Sequence, residues 1–303
     1  MTEKNGQRVA YVNGEFVSEE RAVISIFDHG LLYGDGVYDT LCGWNGAIFR
    51  LEQHVDRLYR SAQTFHLDVG IDPDGMAEAI VEVAARNGEE NQYLKCILTR
   101  GVGERPLLTP IGCKPTTIVF SAPEIWLWGG AKEEKGHVAV IVSTRCIPPQ
   151  CLDAKAKNLN YACFVMAKME ALVAGVDQAV MLDIDGFVNE CPGYNIFVVG
   201  DGRIVTPPRE AILEGVTRDT VFEIAADLGI EVLEARLTPH DLYNGSEVFL
   251  SSTAGGLIPI VQIDGRTISS GQPGDVFSTI HEAYMTMLRN GVHGTPFLEA
   301  DDT

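Results

Sequence analysis

The sequence predicts an α+β fold, because signals for antiparallel hairpins and for amphipathic helices occur along the chain without regular alternation or internal repeat. Asn-Gly and Asp-Gly pairs favour the two-residue turns whose twist matches that of paired strands. Five such pairs separate apolar, strand-like runs, at Asn13-Gly14, Asn45-Gly46, Asp185-Gly186, Asp201-Gly202 and Asp264-Gly265. Much of the sheet is therefore expected to be antiparallel.

Apolar residues at helical spacing predict five helices between these hairpins. The predicted helices lie over about 51–66, from Met76 to Asn87-Gly88, over 158–174, from Val221 to the residue before Gly229, and over roughly 277–289. The second to fifth are each followed by a glycine or an Asn-Gly pair, which is a common signal for the end of a helix.

The 303 residues leave room for two domains. The stretch 126–136, WLWGGAKEEKG, combines adjacent glycines with a run of charges and is typical of a domain boundary. We expect a small N-terminal domain over 1–126, a linker over 127–136 and a larger domain over 137–303.

Charge and hydropathy exclude several classes of function. Acidic residues outnumber basic ones 42 to 23, which gives a formal net charge of −19. Because this charge repels phosphate backbones and anionic lipid, neither nucleic acid nor a membrane is an expected partner. No run approaches the ~18 apolar residues of a membrane helix. The first residues also lack the apolar core of a secretion signal. A cytoplasmic protein is the expectation.

Common site motifs are missing from the sequence. The seven cysteines are odd in number and have no Cys-x-x-Cys spacing, so neither a disulfide framework nor a metal site is expected. A complete GxGxxG fingerprint, a P-loop, an HExxH pair and a GxSxG elbow are all absent from the sequence.

Three segments carry candidate chemistry. Lys157 lies between an apolar stretch and the helix predicted from Asn158; a desolvated lysine there could act as a nucleophile, although a solvated surface lysine is the alternative. The segment Glu214–Thr220 opens a helix with Gly and Thr, which suits a phosphate or, alternatively, an ordinary Thr cap. Glu190 precedes a Pro-Gly turn and could pair with a ring nitrogen, or be a surface carboxylate.

Taken with further segments, the chain resembles the class IV (fold type IV) pyridoxal-phosphate aminotransferases. This group holds branched-chain aminotransferases, D-amino-acid aminotransferases and R-selective amine transaminases. The resemblance covers Tyr11 to about Met287, and the matching segments, in family order and spacing, are FDHGLLYGDGVYDTL, FRLEQHVDRLYRSA, YLKCILTRGVGE, AKNLNYACFVMAKMEA, VNECPGYNIF, LEGVTRDTV and SSTAGGLIPI. It implies a small N-terminal α/β domain, a larger C-terminal domain rich in antiparallel sheet, pyridoxal 5'-phosphate as cofactor, and a homodimer whose partner loops complete the substrate pocket.

The resemblance also implies roles for individual residues. Lys157 matches the lysine that bonds to the cofactor and shuttles the proton. Glu190 matches the acid that keeps the pyridine nitrogen protonated, and Arg57 matches the phosphate-binding arginine. The other implied cofactor contacts are Tyr161, near the ring hydroxyl, and Val216, Thr217 and Thr253, at the phosphate. The implied substrate-binding residues are Tyr33, Tyr38, Thr40, Arg100, Ala254 and Gly255.

The implied activity is ping-pong transfer of an amino group from an amino acid or primary amine to a 2-keto acid, most similar to that of branched-chain aminotransferases. The sequence departs from those enzymes where Cys42 replaces a carboxylate-binding arginine and where Ala254-Gly255-Gly256 replaces an Ala-x-Glu pattern. YDTL and TAGG look more like R-selective amine transaminases, and Arg100 resembles a carboxylate-binding position of D-amino-acid aminotransferases. Both remain alternatives, as do aminodeoxychorismate lyase, which uses the same lysine to eliminate pyruvate, and a pyridoxal-phosphate-binding scaffold without turnover.

Overall fold

A computed structural model describes residues 8–123 and 135–298. The chain divides into two compact units, of which the first comprises Met1–Ile125, Ala156–Asn160 and Leu288–Thr303, and the second comprises Trp126–Lys155 and Tyr161–Met287. The α+β class predicted from the sequence is confirmed, since each unit combines a sheet with helices.

The strands are β1 (Val9–Val12), β2 (Glu15–Ser18), β3 (Gly36–Trp44), β4 (Ala47–Phe49), β5 (Gln92–Val102), β6 (Lys114–Pro123), β7 (His137–Arg145), β8 (Gln178–Leu182), β9 (Asn195–Gly200), β10 (Arg203–Thr206), β11 (Val232–Glu234), β12 (Glu247–Ser252), β13 (Gly256–Ile263), β14 (Arg266–Thr267) and β15 (Gly294–Pro296). The helices are α1 (His29–Tyr33), α2 (Leu51–Thr64), α3 (Pro73–Asn87), α4 (Ala162–Val173), α5 (Val216–Asp227), α6 (Pro239–Asn244) and α7 (Asp275–Arg289). Among the described residues, no helix is both long and apolar enough to cross a membrane.

The sheet of the first unit has the strand order β15-β4-β3-β5-β6-β1-β2, and its pairings are antiparallel throughout. The apolar faces of α2 and α3 pack against it and form one core with alternate residues of β3 and β5. Because successive strand residues point to opposite faces, the residues between those core positions lie on the other face of the sheet. Tyr38 and Thr40 on β3 belong to that second face, as does Lys95 on β5.

The sheet of the second unit has the order β11-β10-β9-β12-β13-β7-β8, with β14 paired to β13. Its centre is antiparallel, from β10 through β9 and β12 to β13, whereas β11, β7 and β8 join by parallel pairing. The parallel neighbours β7 and β8 are joined through α4, which packs against both of them. Because β9 and β12 are adjacent and antiparallel, the turn that precedes β9 lies beside the loop that follows β12.

The compact units differ from the predicted domains at two places. Ala156–Asn160 belongs to the first unit because the Leu159 N–H donates to the Gly36 carbonyl at 3.0 Å, and the chain end belongs there because β15 pairs with β4. Backbone pairing therefore draws two segments of the predicted range 137–303 to the first unit. Most of the predicted linker over 127–136, namely 127–134, lies outside the described residues. The domain boundaries stay a prediction.

Four of the five predicted hairpins form, joining β1 to β2, β3 to β4, β9 to β10 and β13 to β14. Both residues of each turn have positive φ, as the type I′ turn requires; Asn13 has 51° and Gly14 has 95°. The fifth position, Asp185-Gly186, is a turn with only an isolated Leu182–Val188 bridge beside it. There the Asp183 carboxylate accepts hydrogen bonds from the N–H groups of Asp185 and Phe187, which replaces a regular ladder.

The predicted helices α2, α3, α5 and α7 form close to their expected positions, but the helix predicted over 158–174 begins at Ala162. The preceding residues cannot be helical because they are tied elsewhere. The Asn158 side chain accepts from the Asn160 N–H at 2.8 Å, and the Leu159 N–H pairs with β3. The prediction that Lys157 lies at a helix start is therefore wrong, and Lys157 lies in the connection between β7 and α4. The short helices α1 and α6 were not predicted.

Candidate active site

Lys157 is held firmly by its backbone in the first unit. Its N–H donates to the Ser61 hydroxyl at 3.0 Å, and its carbonyl accepts from the Tyr38 N–H at 2.9 Å. The residue is only 8% exposed. A lysine whose two backbone groups are both fixed presents its side chain from a defined position, which a reacting amine needs.

Two lysines flank the ring of Tyr38. The Nζ atom of Lys157 lies 4.6 Å from the ring centroid, and the Nζ atom of Lys95 lies 4.2 Å from it. Burial and the neighbouring charge of Lys157 both lower the pKa of Lys95. The aromatic face attracts each cation, but two ammonium groups at one ring repel each other. Burial and the charge of Lys157 therefore both disfavour the charged form of Lys95.

Arg57 lies in a buried charged cluster between α2 and β3. Its Nε donates to Asp39 Oδ2 at 2.8 Å, and its Nη2 donates to Oδ1 at 2.7 Å. The ring nitrogen Nδ1 of His54 lies 2.8 Å from the same Oδ1. Burial favours the neutral form of Asp39, but the charge of Arg57 and the hydrogen bonds from Arg57 and His54 hold the pKa of this carboxyl well below its ordinary value.

Burial lowers the pKa of His54, and the attraction of Asp39 only partly opposes this. The other ring nitrogen of His54, Nε2, is buried and has no hydrogen-bond partner in the part of the chain that the structure describes. His54 is thus a neutral ring that orients Asp39. The predicted phosphate ligand Arg57 is held in place by this pair, which the sequence did not indicate.

Arg100, a predicted substrate ligand, makes four hydrogen bonds within the first unit. Its guanidinium donates to both carboxylate oxygens of Asp35, at 2.6 and 3.0 Å, and to the carbonyls of Phe65 and His66, at 2.8 and 3.0 Å. These four hydrogen bonds hold the end of α2 to the segment before β3. Arg100 is therefore paired within the first unit, and its role as a substrate ligand stays a prediction.

The remaining predicted residues of the first unit lie in two places. Thr40 is opposite Lys95 in the β3–β5 ladder, and its hydroxyl lies 3.5 Å from that of Tyr93. Tyr33 ends α1, where its ring makes an edge contact with His29 at 5.0 Å. The structure brings Lys157, Tyr38, Thr40 and Lys95 together on one region of the sheet.

Glu190 lies in the second unit, at the start of a tight turn. Its carbonyl accepts from the Met181 N–H at 2.9 Å, and the residue is 7% exposed. Cys191 and Tyr194 exchange two hydrogen bonds of 2.9 Å around Pro192-Gly193. With Gly193 at φ +84°, this is the Pro-Gly geometry of a type II turn. Glu190 is thus a buried carboxylate on a rigid hairpin rather than a surface residue.

The predicted phosphate helix, α5, begins without a side-chain cap. Its N-cap residue is Gly215, so Thr217 is the second helical residue and the alternative of an ordinary Thr cap is wrong. Val216 and Thr217 are buried. A Cβ at Gly215 would overlap the amide oxygen of Asn195. The amide nitrogen of the same side chain, Nδ2, donates to the Leu213 carbonyl at 3.0 Å. A buried, uncapped N-terminus with N–H groups to satisfy fits a phosphate.

Arg218 anchors this helix and was not singled out from the sequence. It is fully buried, and its Nη2 donates to Glu234 Oε1 at 3.0 Å and to the Pro207 carbonyl at 3.1 Å. Arg209 donates to the same Glu234 oxygen at 2.9 Å. The first turn of α5 is therefore fastened to β11 and to the segment after β10.

The other predicted residues of the second unit lie at element ends. Thr253, Ala254 and Gly255 form the loop between β12 and β13, where the Gly255 N–H donates to the Ser252 hydroxyl at 2.8 Å. Tyr161 immediately precedes α4, and its ring packs against that of Phe164, with the two ring centroids 4.7 Å apart.

The sequence profile of the Amino-transferase class IV family matches residues 36–263. The chain belongs to this family. It is 42% identical over 276 residues to a Methanocaldococcus jannaschii protein provisionally named branched-chain-amino-acid aminotransferase, covering 90% of this chain and 94% of the relative. It is 32% identical to the branched-chain-amino-acid aminotransferase of Pseudomonas aeruginosa, covering 95% of this chain and 94% of that one.

Solved structures agree over the whole fold of this class IV aminotransferase. The T.th. branched-chain amino acid aminotransferase with pyridoxamine 5'-phosphate has a TM-score of 0.92 and 33% identity, covering 96% of this chain and 99% of that one. The enzyme of Thermoproteus uzoniensis with norvaline has a TM-score of 0.88 and 33% identity, covering 97% and 100%. The resemblance on which the sequence analysis relied is confirmed, and with it the fold.

Two sets of residues in this class IV aminotransferase could hold a cofactor. The first unit offers Lys157 and Arg57, and the second offers Glu190, Thr253 and the start of α5. No site role was predicted from the sequence for Lys95, Asp39, His54 or Arg218. Strand alternation could have placed Lys95 on the face of Thr40, but only once the β3–β5 register was known.

Proposed function

We propose that this pyridoxal-phosphate-dependent aminotransferase takes branched-chain amino acids as donors and a 2-keto acid as acceptor, in a ping-pong cycle of two half-reactions. The names of the relatives and solved structures support this substrate class. The single observation that carries the chemistry is Lys157, a buried lysine with a fixed backbone beside the Tyr38 ring and a second lysine. No other role explains a lysine in that setting as directly.

Pyridoxal phosphate, when bound, supplies an electron sink for the negative charge that develops on the substrate α-carbon. Lys157 is the proposed point of attachment and the base that removes and returns the α-proton. The buried carboxylate of Glu190 is proposed to hold a proton on the pyridine nitrogen, since a charge-assisted hydrogen bond is strongest away from water. Tyr161 is the proposed partner of the ring hydroxyl.

The phosphate is proposed to bind Arg57, the N–H groups of Val216 and Thr217, the Thr217 hydroxyl and Thr253. The uncapped start of α5 supports this, because a phosphate would satisfy buried N–H groups there. Arg57 contributes its charge while Asp39 fixes its orientation. We propose these residues as the cofactor site.

Lys95 is our candidate for the cation that recognises the substrate carboxylate. Cys42, at the position of an arginine in branched-chain enzymes, is buried and can supply no positive charge. Lys95 lies opposite Thr40, which is two positions before Cys42 on β3, so all three belong to the same face of the sheet. Together with Tyr33, Tyr38, Thr40 and the loop residues Ala254 and Gly255, it forms the proposed substrate site.

An R-selective amine transaminase is the second candidate, because a primary amine has no carboxylate and Cys42 offers no charge to bind one. The D-amino-acid alternative loses its support in Arg100, which has internal partners. Comparison of L-leucine, D-alanine and (R)-1-phenylethylamine as donors distinguishes the three. We expect turnover with L-leucine; activity confined to D-alanine or to the amine would contradict the proposal. Pyruvate release without a keto acid acceptor would instead indicate the lyase.

The oligomer is proposed to be a homodimer. On α4 the exposed residues all belong to one face and are all apolar: Ala162, Val165, Met166, Met169, Leu172 and Val173. A second exposed apolar segment, in the first unit, contains Val23, Ile26, Phe27 and Leu31. Patches of this kind mark interfaces. Sedimentation should give a dimer that Met169→Glu weakens and that Ile184→Glu, at an exposed residue off α4, does not.

The cytoplasm is the proposed location. The described cysteines are all thiols rather than disulfides, and a reducing compartment keeps thiols in that state.

A further inference from the structure

We propose that Tyr194 is a positioning residue that fixes the loop Thr253–Gly255 relative to Glu190. The inference rests on the proposed function, in which this loop binds cofactor and substrate and Glu190 binds the pyridine nitrogen. It adds a residue to which no role has been assigned.

The first observation is the packing of Tyr194 against Gly255. A Cβ built on Gly255 would lie 2.5 Å from the Tyr194 hydroxyl oxygen, 2.6 Å from Cε1 and 2.9 Å from Cζ. Such distances are shorter than any normal carbon contact, so the edge of the tyrosine ring occupies the space of a side chain at position 255.

The conformation of Gly255 does not itself require glycine. Gly256 has φ +59°, in the left-handed region that favours glycine, but Gly255 has no positive φ. The need for glycine at position 255 is therefore one of space, and Tyr194 creates it.

The second observation is that Tyr194 cannot easily move aside. Its backbone closes the turn with Cys191 through two hydrogen bonds, directly after Glu190. Its ring packs against the core of the second unit, which includes Cys191 and Ile196. A shift of the ring would therefore disturb the turn that carries Glu190.

The third observation is the strand register. Asn195 pairs with Ser251, so Tyr194 lies level with Ser252, whose hydroxyl accepts from the Gly255 N–H at 2.8 Å. Gly255 is thus in contact with both Ser252, through this hydrogen bond, and the Tyr194 ring. The two proposed cofactor contacts, Glu190 and Thr253, are joined through this pair of supports.

Four variants test the proposal: Gly255→Ala, Tyr194→Ala, the double variant, and Gly255→Ala combined with Tyr194→Phe. Gly200→Ala is the control, since nothing lies within 4 Å of a Cβ there and its φ is not positive. The measurements are the Kd of pyridoxal phosphate for the cofactor-free protein, KM and kcat for L-leucine, and the thermal unfolding midpoint without cofactor.

We expect Gly255→Ala to raise the cofactor Kd and the KM for L-leucine by about tenfold or more, as overpacking displaces the loop. Tyr194→Ala alone should also raise both constants, because the loop loses one of its supports, but in the double variant it should lower them again relative to Gly255→Ala, because the overlap is relieved. Tyr194→Phe should not restore them, because Cε1 and Cζ remain, and Gly200→Ala should match the wild type.

Four results would overturn the role of Tyr194: unchanged Kd and KM in Gly255→Ala, unchanged Kd and KM in Tyr194→Ala, a double variant as impaired as Gly255→Ala, or rescue of the unfolding midpoint alone. A wild-type protein that binds no pyridoxal phosphate would instead contradict the proposed function. Failure of the role proposed for Tyr194 can therefore be distinguished from failure of the proposed function.

Discussion

Arg57 and Asp39 form a buried ion pair through two hydrogen bonds, from Nε to Oδ2 at 2.8 Å and from Nη2 to Oδ1 at 2.7 Å. The pair joins α2 to β3, the strand that also carries Tyr38. Paired geometry of this kind compensates the cost of burying both charges. It also fixes the direction in which the arginine can meet an anion.

Asp39→Asn should therefore destabilise the protein. The substitution keeps the shape of the side chain but leaves the buried charge of Arg57 without its counterion, which costs about 3 kcal/mol of unfolding free energy. Urea denaturation of the cofactor-free protein measures this. Glu82→Gln is the matched control, since it removes an exposed ion pair with Arg86 and should cost less than about 0.5 kcal/mol. Equal losses for the two variants would contradict the role of the buried pair.

Acidification should destabilise the protein through His54. Its pKa is lowered in the folded protein, so below its ordinary value of about 6.5 the unfolded chain takes up a proton that the folded chain does not. Stability must then fall as the pH falls from about 6.5 towards the native pKa. Asp39, whose pKa is also lowered, loses its contribution only below about pH 4.

His54→Asn should reduce the decrease in unfolding free energy between about pH 7 and pH 5, in a denaturant series at several pH values. His240→Asn is the control, because the His240 side chain is 80% exposed. The interpretation fails if His54→Asn leaves the pH dependence as steep as in the control.

Gly215→Ala should weaken the binding of pyridoxal phosphate while the protein remains folded. A methyl group there overlaps the Asn195 amide and displaces the first turn of α5, the proposed phosphate site. We expect the Kd for the cofactor to rise about tenfold, from an overpacking cost of about 1–3 kcal/mol. Titration of the cofactor-free variant measures it, and binding as tight as in the wild type would exclude α5 as the phosphate site.

Lys95→Gln should discriminate between donors. A charged hydrogen bond to a carboxylate contributes about 1.5–3 kcal/mol, so the KM for L-leucine should rise at least about tenfold. Any residual rate with (R)-1-phenylethylamine should be unchanged, since it has no carboxylate. Lys95→Arg keeps the charge and is expected to retain most of the affinity. A Lys95→Gln enzyme with an unaltered KM for L-leucine would remove Lys95 from the substrate site.

Local signals in the sequence predicted much of the fold. Asn13-Gly14 and three similar pairs form hairpins because the positive φ values of the turn are encoded in the pairs themselves. The start of α4 could not be predicted in this way. Residues 157–159 pair with β3, more than a hundred residues earlier in the chain, and such long-range pairing overrides helical periodicity.

The resemblance supplied the candidate site residues, and the structure added their supports. Nothing near Arg57 in the sequence indicates Asp39 as its partner, because the pairing depends on how α2 packs against β3. The same holds for Arg100, whose partners Asp35, Phe65 and His66 could not be read from its family position. Side-chain partners of this kind follow from tertiary packing, not from local pattern.

Reductive trapping tests the central claim most directly. The purified protein is incubated with pyridoxal phosphate, reduced with borohydride, digested and analysed by mass spectrometry, with Lys157→Ala and Lys95→Gln treated in parallel. We predict a phosphopyridoxyl group on Lys157, retained in Lys95→Gln, together with loss of both the label and all transamination in Lys157→Ala. A label on another lysine, or a Lys157→Ala protein that still transaminates at the wild-type rate, would contradict the account.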